Sequence, residues 1–140
     1  MDQDLCARVA DIRRRLDAAA LARWGRAPEI IAVSKTVSAP RINEVKAAGI
    51  ARLGENRVQE LLEKQPQGAY EGAPVHFIGH LQTNKVKQVV GKAALIQSVG
   101  SLPLLEAVEK EAEKQGIVQD ILLEVNIGGE EAKSGFAPAE

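Results

Sequence analysis

The stretch Ile30-Ile31-Ala32-Val33-Ser34-Lys35-Thr36 is a short, apolar, β-branched run that ends in a lysine. Its length and composition predict a buried strand. Alternation puts Ile31, Val33 and Lys35 on one face and Ile30, Ala32 and Ser34 on the other. If the first face lines a barrel, Lys35 is the last side chain before the mouth. An amine there, with apolar side chains beneath it, is placed to attack a carbonyl carbon. The ordinary alternative is a solvated lysine in a strand-to-loop turn, because long charged side chains are mostly exposed.

On the N-terminal side, Leu5, Val9, Ile12, Leu16 and Ala19 or Ala20 recur at spacings of three and four, which predicts an amphipathic helix from about Asp4 to Trp24. Asp4–Arg8 and Asp11–Arg15 are acid-first pairs four apart. Gly25 and Pro28 end that helix. On the C-terminal side, helical periodicity and apolar runs alternate. Strands are expected to start near residues 30, 51, 75, 95 and 121, each followed by helical spacing. Ser38 and Pro40 open one helix, Val58, Leu61 and Leu62 mark a second, and Ser101 to Gly116 bound the longest. Pro66 to Pro74, rich in Gly and Pro, is expected to be a flexible loop. Ala137 to Glu140 is expected to begin another helix.

Such a β/α alternation argues for an α/β fold with a parallel sheet, in one domain over residues 1–140. Two architectures compete. A five-stranded doubly wound sheet fits 140 residues. A (β/α)8 barrel needs eight strands and about 250 residues. The fifth run, Ile121 to Asn126, is followed by no more than the first turn expected at Ala137 to Glu140, so the chain is expected to be cut rather than finished.

Composition narrows the functional classes. A net charge of −1 gives no bulk attraction to nucleic acid or to an anionic membrane. The single cysteine, Cys6, excludes an internal disulfide and a cysteine metal cluster. The acidic start, Met1-Asp2-Gln3-Asp4, does not resemble a signal peptide, and no run approaches the roughly 20 apolar residues of a membrane span. A cytoplasmic location is expected.

Few motifs carry chemistry on their own. His76 and His80 share helical metal spacing but sit in a strand pattern, which separates their Cα atoms by up to about 13 Å; no metal site is expected. Gly128 to Gly135 is not a phosphate-binding P-loop, and no Gly-x-Gly-x-x-Gly follows a strand. What remains is a set of polar residues at strand C-terminal ends: Lys35, then Glu55 and Asn56, Gln82 and Asn84, Ser98, and lastly Asn126 and Lys133. In parallel β/α folds those ends converge on one rim, where ligands bind. Singly, each is more often a cap or turn residue, and Asn56 and Ser101 could cap helices.

Taken together, Ile31-Ala32-Val33-Ser34-Lys35-Thr36, Gly54-Glu55-Asn56, the run His76-Phe77-Ile78-Gly79-His80-Leu81-Gln82-Thr83-Asn84-Lys85, and Asn126 with Lys133-Ser134-Gly135 resemble the pyridoxal phosphate homeostasis proteins, relatives of the alanine racemase N-terminal barrel. The resemblance implies a (β/α)8 TIM-type barrel preceded by an extra helix, of which this chain carries the first five β/α units. It implies pyridoxal 5′-phosphate (PLP) as cofactor, held as a Schiff base on Lys35, with Asn56 and Asn126 lining the pocket and Lys133 as a second amine nearby. It implies a carrier or buffer in vitamin B6 homeostasis rather than an enzyme, and a monomer when full-length. Strands six to eight, whose loops grip the phosphate, lie outside these 140 residues. Weak cofactor binding is therefore expected, as is self-association through an exposed edge strand. The alternatives are a PLP-dependent racemase or lyase, a PLP-free Schiff-base enzyme, and a remnant that binds nothing.

Overall fold

The computed structural model describes residues 2–140. The elements run α1 (Gln3–Trp24), β1 (Ala32–Val33), α2 (Ala39–Ala47), β2 (Leu53–Glu55), α3 (Val58–Lys64), β3 (Val75–Phe77), β4 (Leu95–Val99), α4 (Leu102–Gln115) and β5 (Ile121–Leu123). Short 3-10 turns occupy Gln65–Gln67 and Thr83–Gln88. All strand pairs are parallel, and their spatial order is the chain order, β1-β2-β3-β4-β5. That order decides between the two architectures. A doubly wound sheet reverses direction at a switch point, whereas sequential order with right-handed crossovers keeps every connection on one face. The sheet is wound as five consecutive staves of a barrel wall.

The helix side of this wall is the core. Leu53, Val75, Phe77 and Ile96 point into it and meet Ile42, Leu61, Val89, Val90, Leu104 and Val108, all buried. Each such side chain contributes about 1.5–3 kcal/mol by leaving water. The opposite face is more open. Val33 is 49% exposed and Leu122 on β5 is 50% exposed.

Local sequence accounts for the helix ends. The Asp2 carboxylate accepts from the backbone N–H groups of Asp4 and Leu5, both at 3.1 Å, and starts α1. Gly25 at φ 70° ends it. Ser101 caps α4 through the Leu104 N–H, and Gly116 closes that helix in the left-handed region.

Four expectations need correction. The β1 ladder covers only two residues, because β1 is an edge strand and Ser34 already turns out after donating its N–H to Gly54 O. In α1 only Ala20 is fully buried, while Ile12, Leu21 and Trp24 are exposed, so its apolar stripe is largely unpartnered. Arg14, not Arg15, pairs with Asp11. The segment from Pro66 to Pro74 is a packed part of the core: Ala69 and Ala73 are buried, and Lys46 Nζ donates to Gly68 O and Glu71 O. After β5, the chain doubles back so that Phe136 bridges Val125 in parallel, and Ala137 to Glu140 forms a single turn.

Candidate functional site

The rim formed by the strand C-terminal ends is assembled by register. Val33 pairs with Gly54 and Gly54 with His76. Past the ladder, Asn56 and Ile78 continue β2 and β3, while Lys35 lies in the turn that follows Ser34. Lys35 is exposed and makes no hydrogen bond or ion pair with the described residues. It is therefore not enclosed by the fold, in contrast to the partly desolvated amine that a barrel mouth suggests. Beneath the rim, a Cβ on Gly54 would lie 3.0 Å from Ile78 Cδ1 and 3.1 Å from Ile31 Cγ2. The missing side chain lets two isoleucines close across β2 and form an apolar floor.

Asn56 does not cap α3. That helix starts after Arg57, with no side-chain cap. The Asn56 Oδ1 is instead buried without a hydrogen-bond partner, a costly state for a polar atom. Asn56 lines a groove of about 730 Å³ with Val58, Glu63, His80, Gln82 and Lys85. Gln82 also borders a second hollow of about 430 Å³ with Ser98, Ser101, Glu124 and Ser134. Lys35 lines neither.

Close backbone contact holds the rim together. A Cβ on Gly79 would fall 2.1 Å from Asn56 O and 2.7 Å from Asn56 Cα, and Ser98 Oγ donates to Gly79 O at 2.6 Å. Only a residue without a side chain lets β3 leave the sheet against β2. Gly79→Ala is expected to destabilise the chain by about 1–3 kcal/mol or more, read as a lower urea midpoint at unchanged slope. An unchanged midpoint would contradict this packing.

The remaining predicted residues lie elsewhere. Asn126 and Lys133 sit beyond β5, at the opposite edge of the sheet from β1. Asn126 Nδ2 donates to Glu130 O at 2.9 Å and Lys133 O at 3.4 Å, which closes the loop that carries Lys133. The Lys133 side chain is exposed. No hydrogen bond or ion pair among the described residues joins this loop to Lys35.

Glu55 departs most from its expected place on the rim. It is fully buried on the helix side, at 0% exposure, where its Oε1 accepts from Ser34 Oγ (2.6 Å), Lys64 Nζ (2.8 Å) and Tyr70 OH (3.2 Å). Lys64 uses all three of its N–H donors, reaching Glu60 Oε2 (2.6 Å) and Ser34 O (2.7 Å) as well. Burial works against the charge on Lys64, but the hydrogen bonds to Glu55 and Glu60 outweigh it and hold the ammonium above its ordinary value. The Lys64 hydrogen bond holds the Glu60 carboxyl below the usual range. Burial, reinforced by the Glu55 charge, pushes the Tyr70 phenol up. Sequence reading passes over Ser34, Glu60, Lys64 and Tyr70. The only signal it offers is the acid-first pair Glu60–Lys64, four apart on a helix.

His76 is buried and its Nδ1 lies 2.9 Å from Gln97 Nε2, while His80 is exposed. No group of three or more His, Cys, Asp or Glu side chains that could hold a metal occurs among the described residues. Burial first, then the Arg52 cation, pushes the His76 imidazole below its ordinary 6.5. Between the folded and unfolded values the unfolded chain binds more protons, so His76 makes stability fall as the pH drops below 6.5. His76→Gln is expected to flatten that slope in urea titrations. An unchanged slope would place the titration elsewhere.

The family "Alanine racemase, N-terminal domain" matches residues 8–140. The pyridoxal phosphate homeostasis protein of Aquifex aeolicus is 42% identical over 135 residues, covering 95% of this chain and 59% of that protein. The structure of PipY from Synechococcus elongatus without PLP superposes with a TM-score of 0.83 at 33% identity, over 96% of this chain and 60% of that one. PipY with PLP bound superposes with a TM-score of 0.78 at 30% identity, over 96% and 59%. The chain thus spans about three fifths of the length of the relatives it matches.

Proposed function

The chain belongs to the alanine racemase N-terminal domain family, and from that footing we propose that it is a PLP-binding protein of cofactor homeostasis with Lys35 as the attachment point. The observation that carries the reading is an exposed Lys35 just past the end of β1, without a partner among the described residues, and, just past the end of the neighbouring β2, an Asn56 whose buried Oδ1 lacks a partner. The relative with PLP bound shares this fold.

These residues fit the group. PLP supplies an aldehyde that condenses with a primary amine. Lys35 offers the amine, and no acid among the described residues pairs with it. Asn56, just past the end of β2, holds an acceptor oxygen that no donor among the described residues uses. Ile31 and Ile78 supply an apolar floor beneath, made continuous by Gly54. Asn126 and Lys133 belong to the site as its far wall, across the sheet from Lys35. The chain acts as a carrier or buffer in the cytoplasm, with no turnover of its own, no nucleic-acid or membrane partner, and a tendency to pair through the exposed edge at β5.

The test is to add PLP to the purified chain, reduce with borohydride and weigh the intact protein. The expected result is a single added pyridoxyl group at sub-stoichiometric PLP. A statistical spread of adducts over the nine lysines contradicts the reading.

A further inference from the structure

The residues on either side of Lys35 are tied to the same buried ion cluster. Before it, Ser34 gives its hydroxyl proton to Glu55 Oε1 and its carbonyl accepts from Lys64 Nζ. After it, the Thr36 N–H donates to Glu60 Oε2 at 2.7 Å, and that same oxygen accepts from Lys64. Thr36 has φ 62° and is the one non-glycine residue with positive φ among the described residues. A β-branched residue is a poor occupant of that region, so surrounding contacts must hold it there. Thr36 is exposed, so water could satisfy its N–H. The carboxylate is not needed for that purpose; it selects the conformation.

We propose that Glu60 is a positioning residue for Lys35. With Lys64 it clamps the backbone at residues 34 and 36 and fixes the turn by which the chain leaves β1, while the Lys35 side chain stays free. The proposal rests on the reading of Lys35 as the cofactor's amine. Its content is that the anchor is pre-organised from the helix side of the wall, by residues that never touch the cofactor.

The experiment measures two quantities in the full chain: amide hydrogen exchange at Thr36, and the rate at which PLP followed by borohydride labels Lys35. Labelling of exposed Lys110 on α4 is the internal reference. Glu60→Ala is expected to speed Thr36 exchange and slow Lys35 labelling about tenfold, with Lys110 unchanged. Glu60→Gln keeps an acceptor oxygen for Thr36 and should restore most of the rate. Thr36→Gly removes the need for a clamp, because glycine takes positive φ freely. In that background Glu60→Ala should cost no more than about twofold. Should the alanine variant fail to fold, Glu60→Asp, which withdraws the carboxylate by one methylene, should give a smaller slowing. Equal slowing by Glu60→Ala in the wild-type and Thr36→Gly backgrounds, or no slowing at all, overturns the proposal. If the wild type labels Lys35 no faster than Lys110 while Thr36 exchange still responds to Glu60→Ala, the cofactor reading fails and the proposal with it, and the clamp is seen to serve the fold alone.

Discussion

Replacing Lys64 with methionine is expected to destabilise the chain by about 3–5 kcal/mol. Methionine matches the lysine stem in length but offers no donor, so Glu55, fully buried, loses its only cationic partner among the described residues. Removing one member of a buried pair is far costlier than the pair is worth, because the other charge stays in a medium that solvates it poorly. Glu55 Oε2 already lacks a partner, so the carboxylate has little left to fall back on. The effect should appear in urea as a lower midpoint, while Lys110→Met on the exposed face of α4 stays within about 0.5 kcal/mol of wild type. A pH signature accompanies it. The Glu60 carboxyl is depressed by Lys64, so its stabilisation is present above 4.5, the unfolded value, and is lost as pH falls through the lower folded value. The acid limb of the stability profile should be shallower in Lys64→Met. A variant within about 1 kcal/mol of wild type would mean that the Lys64 cluster carries little.

Lys35→Ala is expected to have the opposite profile: no loss of stability, and loss of the preferred PLP adduct. Lys35 is exposed and bonded to nothing among the described residues, so its removal should leave the urea midpoint within about 0.5 kcal/mol of wild type. Adduct formation should fall to the background of ordinary surface lysines, about a hundredfold if positioning contributes as it does at organised sites. Lys35→Arg should behave like Lys35→Ala, since guanidinium keeps the charge and lacks a free nucleophilic amine. Retention of a single preferred adduct in either variant would assign the attachment to another lysine.

The β/α alternation and the terminal lysine of the first strand can be read from local pattern, since both depend on periodicity and on one residue at a strand end. The winding cannot. It depends on which strands pair, and Val33–Gly54 and Phe77–Ile96 are contacts no local window contains. The rim is legible only in part. Alternation correctly turns Ser34 away from Lys35, but gives no hint that Ser34 meets Lys64, thirty residues on. Ending a strand suggests the rim for Glu55, yet side-chain parity sends it to the other face. Asn56 and Arg57 share a helix-start pattern with many caps, and only the fold shows that Asn56 Oδ1 has no N–H to accept.

The open lumen face has a physical counterpart in the same alternation. Each stave buries one row of side chains under the helices and presents the other. Ile31 and Ile78 cover part of that second row on either side of Gly54, whereas Val33 and Leu122 stay exposed. The site therefore sits on a surface of mixed character, apolar below and polar along the rim. That is the composition a flat aromatic ring with one reactive substituent requires.

Peptide mapping of the PLP-treated, borohydride-reduced wild-type chain decides whether Lys35 is the attachment point. The pyridoxyl group is expected on the peptide that contains Lys35, at an occupancy well above that of any of the other eight lysines. Equal occupancy across the lysines, or a majority on Lys133 or Lys64, would contradict it.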